Sequence, residues 1–477
     1  MFLRSLVKQF SVFSHFSYRP ICLFLSLLCV AALGSQVYAA QINPQKWNII
    51  FFAIDDINGW TGHLGKHPNA KTPNVDKLAA RGISFRHAYA PVPHCLPARA
   101  ALMTGLRPWE SGVYHGGNSG WFNAIKNKES IPQFFSRHGY QTMGTGKIFH
   151  NGNAGHTTPG YWDEFKKVKG KDPKPKKPTT VNINLSWGAA GKDKKFKDYK
   201  RVTWAISKLN KNYNKPFFLA VGLQKPHLAW YVPKAYYKLH PLNNIVLPQT
   251  LANDLNDVPP IGVDFALNVE NQFFNDHQKM LKAGKWKNAV QAYLASSSFA
   301  DAQFGRLLKA LDNSQYKNNT MIVLWGDHGW HLGEKQHWRK HALWEEATNT
   351  SYVIYIPGLG NQGRIIDEPV DLMSIYPTLA EVTGLPEPGT AGVSVVPLLE
   401  GSAQQWDHPA IMTYFRRNHA VRQGNYRYIR YKDGTEELYD HSVDPKEWTN
   451  LADDPSLEHV KTNMAAYLPT DEAPNVP

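Results

Sequence analysis

The sequence predicts an α/β protein, with a mostly parallel sheet flanked by helices and a small C-terminal α+β subdomain. Three observations carry this. Continuous apolar runs of strand length alternate with stretches at helical spacing. Carboxylates stand just beyond two of the apolar runs, where open α/β sheets place their ligands. After Pro388 the alternation gives way to short strand-like pieces rich in Tyr and Arg.

Residues 1–39 read as a signal peptide. Arg4, Lys8 and Arg19 supply positive charge, 21–33 is apolar, and Val37-Tyr38-Ala39 suits signal cleavage. The apolar stretch is too short to cross a bilayer comfortably, and later apolar runs are shorter and interrupted, so no stable membrane insertion is expected. Leu28 stands before Cys29 where a lipoprotein signal wants a small residue, which argues against lipidation. The expected product is periplasmic or secreted, in a bacterium. Of the three cysteines, Cys22 and Cys29 leave with the leader, so the remainder folds around Cys95 without internal disulfides.

Residues 40–402 form the predicted α/β domain. Residues 47–54 are apolar throughout, as a strand buried on both faces should be, and 217–223, 321–325 and 352–356 repeat the pattern. Helices are expected at 74–81, 130–138, 288–311 and 371–383; in the third, Ala292, Ala295, Phe299, Ala302 and Leu307 fall at helical spacing. The lysine-dense stretch 166–200 has little apolar periodicity and reads as a long surface loop or insertion. Residues 403–477 form the C-terminal subdomain, built on a short antiparallel sheet that includes 426–431. No repeat of 20 to 50 residues is visible.

The formal net charge of +14 includes the leader's three bases and none of its acids, so a basic excess remains without it. Nucleic acid, anionic lipid and sulfated glycan all suit such a balance, and composition does not choose among them. The chemistry-bearing positions are more selective. Residues 49–54 run straight into Asp55-Asp56, and 321–325 into Gly326-Asp327-His328. A single aspartate there would most simply cap the next helix; a pair plus a distant Asp-His at an equivalent strand end makes a site. Cys95 lies in Pro93-His94-Cys95-Leu96-Pro97-Ala98-Arg99, either as a small buried hydrophobe or as a residue kept for its reactivity.

These motifs occur in order with Thr72-Pro73-Asn74-Val75-Asp76-Lys77-Leu78, Leu102-Met103-Thr104-Gly105, Gly144-Thr145-Gly146-Lys147, Lys225-Pro226-His227 and Glu437-Leu438-Tyr439-Asp440. The series resembles the type I, formylglycine-dependent sulfatases of the alkaline phosphatase superfamily. Gly146 to His150 and Asp327 to Glu334 look most like the iduronate-2-sulfatase branch, which includes bacterial polysaccharide sulfatases. The resemblance implies a sulfatase/alkaline-phosphatase-like fold. It also implies that Cys95 is oxidised to formylglycine by a maturation enzyme, and that one Ca2+ is held by Asp55, Asp56, Asp327 and His328. Imidazole is a poor match for so hard an ion, so His328 is alternatively a donor to the sulfate or the nucleophile.

By the same resemblance Arg99 stabilises the attacking hydroxyl, Lys147 and Lys340 bind sulfate oxygens, His227 is the general acid and His150 assists elimination. Trp121, Arg416, Arg417 and His419 are candidate substrate contacts, while His94, His115, His331 and His337 either line the pocket or lie elsewhere. The implied partner is a sulfated oligo- or polysaccharide, with no nucleic acid; the substrate expected is algal, of carrageenan or ulvan type. A glycosaminoglycan sulfatase of iduronate-2-sulfate type, a phosphonate or phosphate ester hydrolase of the same fold, and a non-catalytic polyanion-binding protein are the alternatives.

Overall fold

Strands that are apolar on both faces must be covered on both faces, and this requirement organises the protein. In a computed structural model, which describes residues 41–42, 44–116, 120–150, 154–267, 275–360 and 362–477, the central sheet has eight strands. They are β1 (Asn48–Asp55), β2 (Ile83–Phe85), β3 (Gln141–Gly146), β4 (Glu164–Lys166), β5 (Phe217–Pro226), β6 (Thr320–Gly326), β7 (Tyr352–Tyr355) and β8 (Arg364–Ile366). Their order is β8-β2-β7-β6-β1-β5-β3-β4. All pairs are parallel except those of β7, which runs antiparallel to both β6 and β2. The apolar run at 352–356 therefore signals burial correctly but carries no information on strand direction.

Alternate residues of the central strands serve two cores. Ile49, Phe51, Phe218, Val323 and Trp325 pack on one face with α2 (Cys95–Thr104), α3 (Ile131–Arg137) and α6 (Ile375–Val382). Ile50, Phe52, Leu219, Val221 and Leu324 pack on the other with α1 (Pro73–Arg81), α4 (Lys197–Leu209) and α5 (Trp286–Asp312). The helix starts have local causes. Pro73 and Pro132 stand in the first turns of α1 and α3, where a missing N–H costs nothing. The Ser130 N–H donates to Gln133 Oε1 at 3.0 Å, half of a capping box.

Residues 166–200 differ from the loop expected of them. Thr179–Asn182 and Leu185–Ala189 form a hairpin that Trp230–Val232 extends in parallel to a three-stranded sheet. Leu185 and Trp187 are buried, a period-two signal hidden among the lysines. The C-terminal part carries the expected antiparallel sheet, β9 (Ala410–Thr413), β10 (His419–Gln423), β11 (Tyr426–Arg430) and β12 (Glu436–Asp440), in sequential order. The leader assigned to residues 1–39 lies outside the described residues. Among the described residues, no helix is long and apolar enough to cross a membrane.

The C-terminal sheet is tied to the α/β part by buried charge. On β11, Arg427 is fully buried; its Nη2 lies 2.6 Å from Glu345 Oε2, its Nε 2.6 Å from Glu447 Oε1, and its Nη1 donates to the Leu343 carbonyl at 2.8 Å. Tyr89 OH donates to Glu345 at 2.9 Å, and His441 Nε2 lies 3.0 Å from Glu447. Removing one partner of such a network strands the others in a low dielectric. Arg427→Met is therefore expected to destabilise the protein by about 3–5 kcal/mol, lowering the thermal unfolding midpoint by several degrees. A midpoint within about 1 °C of the parent would contradict the assignment.

Candidate active site

Strands β6, β1, β5 and β3 lie side by side and parallel, so their C-terminal ends open onto one edge of the sheet. The chain leaving each end carries chemistry: Asp327 and His328 after β6, Asp55 and Asp56 at β1, His227 after β5, and Lys147 after β3. The register that aligns Ile54 with Gly326 sets Asp55 beside Asp327. Successive residues of a strand normally face opposite ways. Asp56 escapes this with a φ of 60°, a left-handed conformation that aspartate tolerates better than most residues, and both aspartates offer a carboxylate oxygen within 4.8 Å of residue 95 Sγ.

Residue 95 opens α2, and every residue of that helix is buried. Its Sγ lies 2.8 Å from Lys340 Nζ, 3.2 Å from His328 Nε2 and 3.6 Å from Asp56 Oδ1. One helical turn on, Arg99 donates from Nε to Asp327 Oδ2 at 2.8 Å and from Nη2 to Asp55 Oδ1 at 3.2 Å. Its Nη1 donates to the carbonyls of Lys147 and Ile148. Lys147 Nζ meets both oxygens of Asp55, at 2.8 and 2.7 Å, and Lys340 Nζ meets Asp56 Oδ1 at 2.7 Å.

Burial opposes a thiolate at Cys95, yet Lys147, Lys340 and His328 outweigh it and hold the thiol well below its usual range. The α2 N-terminus favours negative charge at the same position. Burial pushes the Asp55 carboxyl up to about 7 despite Lys147, with Asp327 and Asp56 adding repulsion. Asp327 goes the other way, because Arg99 and His328 overcome its desolvation.

The cavity above residue 95 has a volume of about 460 Å3 and is lined by His94, His150, Asn184, His227, Trp330, Arg339, Lys340 and His341, among others. Ten expected residues thus come together: Asp55, Asp56, Cys95, Arg99, Lys147, His150, His227, Asp327, His328 and Lys340. The other four expected residues lie elsewhere. Trp121 is buried in the core against Phe122. Arg416, Arg417 and His419 gather on Glu472, through its carbonyl, its Oε2 and its Oε1 respectively. Arg416 lines a separate cavity with Phe415, Asn418 and Lys432.

Of the undecided histidines, His94 reaches the cavity. His337 is buried and bonds the carbonyls of Ala266 and Lys340, and His331 is buried beside Glu334. His115 packs against Phe415. Sequence reasoning missed Asn184, Trp330, Arg339 and His341. Asn184 sits at the turn of the unforeseen hairpin, and the alternation ending in Leu185 and Trp187 was its one available signal. The segment around Lys340 holds left-handed backbone at Lys335, Gln336, Arg339 and His341, a local strain with no sequence signature.

A hard cation fits this arrangement. Ligand atoms of Asp56, Cys95, Asp327 and His328 lie within 4.8 Å of one another, as do those of Asp55, Asp56, Cys95 and His227. Asp56 Oδ2 is buried and accepts no hydrogen bond among the described residues. Carboxylate oxygens with spare lone pairs are what calcium requires. His328 Nδ1 lies 2.9 Å from the Gly329 carbonyl, which leaves Nε2 aimed at residue 95 and the carboxylates.

Ca2+ added to chelator-treated protein is expected to raise the thermal unfolding midpoint, by the equivalent of about 2.7 kcal/mol at a hundredfold excess over Kd. Asp56→Asn should lose most of that shift. An unmoved midpoint in the parent chain would contradict a divalent-cation site here.

Comparison with known proteins gives this geometry a family. The family described as Sulfatase matches residues 47–385, and that described as N-sulphoglucosamine sulphohydrolase, C-terminal, matches residues 333–473. A sulfatase of Formosa agariphila is 38% identical, covering 94% of this chain and 92% of its own. The iduronate 2-sulfatase of Homo sapiens is 32% identical, covering 77% of this chain and 74% of its own. The crystal structure of the phosphonate monoester hydrolase of Agrobacterium radiobacter shares the fold, with a TM-score of 0.74 over 88% of this chain and 94% of its own, at 20% identity. The match at 47–385 takes in β1, α2, β3, β5 and β6 with the charged residues they carry, and the chain belongs to the sulfatase family, a sulfuric ester hydrolase.

Proposed function

We propose that the protein hydrolyses sulfate monoesters on a sulfated carbohydrate, an algal polysaccharide of carrageenan or ulvan type or its oligosaccharides. The observation that carries this is the convergence of Lys340 Nζ, His328 Nε2 and Asp56 on Sγ of residue 95, beneath a cavity roomy enough for a sugar ring. Oxidised to formylglycine by a maturation enzyme and hydrated, residue 95 supplies one hydroxyl to attack sulfur and a second with which to expel sulfate afterwards. A calcium ion held by Asp55, Asp56, Asp327 and His328 supplies positive charge for a sulfate oxygen and acidifies the attacking hydroxyl.

The side chains do the rest. Arg99 bridges Asp55 and Asp327 and so fixes the carboxylates in place. Lys147 and Lys340 bring charge to where the transition state is anionic. His227 stands over residue 95 with Nδ1 2.7 Å from the Leu228 carbonyl, so Nε2 faces the cavity. Burial disfavours its charged form, but Asp56 and Asp55 outweigh burial and raise its pKa. His227 Nε2 is thus placed to give the proton that a sugar alkoxide needs as it leaves, an effect worth roughly 10² to 10⁴ in rate. His150 lines the same cavity, placed to assist release of sulfate.

The basic balance, the leader-like residues 1–39 and the lone cysteine beyond them support an exported bacterial enzyme that meets such a polymer in the periplasm or outside the cell. A second reading, removal of a 2-sulfate from a uronate of a glycosaminoglycan, is favoured by the 32% identity to iduronate 2-sulfatase. The test is sulfate release from defined oligosaccharides of carrageenan, ulvan and glycosaminoglycans, together with a matched phosphate ester, after mass spectrometry has verified oxidation at residue 95. An algal oligosaccharide should give kcat/KM at least about tenfold above the other classes. Preference for a 2-sulfated uronate would establish the second reading. Preference for phosphate, or no turnover by oxidised enzyme, would overturn both.

A further inference from the structure

A second cavity adjoins the catalytic one. It has a volume of about 170 Å3 and lies where the ends of β3 and β4 meet the start of α4, lined by Lys147, His150, Lys167, Lys197, Arg201 and Gln224 among others. His150 lines both cavities. None of Lys167, Lys197, Arg201 and Gln224 takes part in the site described above. The space suits a small ion rather than a sugar ring, and its polar lining is dominated by cations.

The cavity is built around Arg201. Lys197 and Arg201 are four residues apart on α4 and share one helix face. The Arg201 stem lies over Gly146, whose φ is +83°; a Cβ there would come within 2.9 Å of Arg201 Cδ and 1.9 Å of the Gly222 carbonyl oxygen. Arg201 Nη1 is anchored by Asp198 Oδ1 at 2.6 Å. Asp198 is buried and also accepts the N–H groups of Gln224 and Lys225, at 3.0 to 3.1 Å. The neighbouring Asp172 accepts the Lys197 N–H at 2.7 Å. The acids beside the cavity are thus engaged in holding its walls. Arg201 Nε, in contrast, is buried and has no hydrogen-bond partner among the described residues. A buried donor left unmatched is costly, so the guanidinium is not fully paired within the chain, and an anion entering the cavity meets it together with Lys197.

We infer that this cavity is a second sulfate-binding site, holding a tetrahedral oxyanion between Lys197, Arg201 and the Lys147 side of the catalytic centre. The inference rests on the sulfatase reading above. The oxyanion has two possible sources with one chemistry: a further sulfate ester on the same glycan, or the inorganic sulfate released by the reaction. A guanidinium and an ammonium four residues apart suit either, since both present oxygens to a charge-assisted pair of donors.

The experiment uses the full chain oxidised at residue 95 and the variants Lys197→Gln and Arg201→Gln. Three quantities are measured: kcat/KM on a disulfated disaccharide, kcat/KM on its monosulfated counterpart, and inhibition of 4-nitrophenyl sulfate hydrolysis by inorganic sulfate. If the site holds a second ester, both variants should lose about tenfold in kcat/KM on the disulfated sugar, through KM, with the monosulfated sugar within about twofold. If it holds released sulfate, the inhibition constant should instead rise about tenfold. Unchanged values for all three probes, or equal losses on both sugars, would overturn the proposal. Lys197 is only partly buried, so its variant remains informative if Arg201→Gln fails to fold. Calorimetric titration of inorganic sulfate into Cys95→Ala protein, with and without Lys197→Gln, reads the same site without turnover. Binding there that Lys197→Gln abolishes would uphold the site even if no sulfate ester were hydrolysed; binding indifferent to Lys197 would reject it.

Discussion

Three carboxylates buried at neighbouring strand ends set the terms for the rest of this protein. Asp55, Asp56 and Asp327 are almost wholly removed from water, where unpaired charges are expensive. Each is met by a cation brought from elsewhere in the chain. Arg99 comes from the helix that residue 95 begins, Lys147 from the end of β3, and Lys340 from a loop with repeated left-handed backbone. The balance is still incomplete, since Asp55 stays pushed up to about 7 by burial even with Lys147 on both its oxygens. That shortfall, with the unmatched Asp56 Oδ2, is the physical case for a divalent cation.

The same constraint links the C-terminal sheet to the chemistry. Arg427 on β11 reaches the Leu343 carbonyl and Glu345, close in sequence to Lys340. His337 Nε2 donates to the Lys340 carbonyl, 2.7 Å away. Lys340 is thus held in a strained loop by groups that never touch residue 95. The C-terminal strands contribute by fixing that loop rather than by lining the cavity, and Arg416, Arg417 and His419 turn to Glu472 instead.

Much of this was legible in the sequence, because the signals were local. Apolar runs that need cover on both faces located β1, β5 and β6, and the charges just past their ends located the site. What escaped depended on distant contacts. Nothing in residues 352–356 states that β7 runs against its neighbours. Lys340 was found through the family resemblance and not from its own basic stretch, and the fold buries it against Asp56 and Sγ. Leu185 and Trp187 were masked by surrounding lysines, so the hairpin presenting Asn184 read as loop. Trp121 was a candidate substrate contact, but its ring is buried in the core beside Phe122.

In the proposed mechanism the reacting bond is at sulfur: the attacking oxygen would come from residue 95, and His227 would protonate an alcohol that keeps its own oxygen. Hydrolysis in water enriched in 18O, with mass analysis of both products, addresses this directly. The label is expected in the released sulfate and not in the sugar hydroxyl, after residue 95 has exchanged with solvent. Label in the sugar would mean that the carbon–oxygen bond is broken, and would contradict attack at sulfur by residue 95.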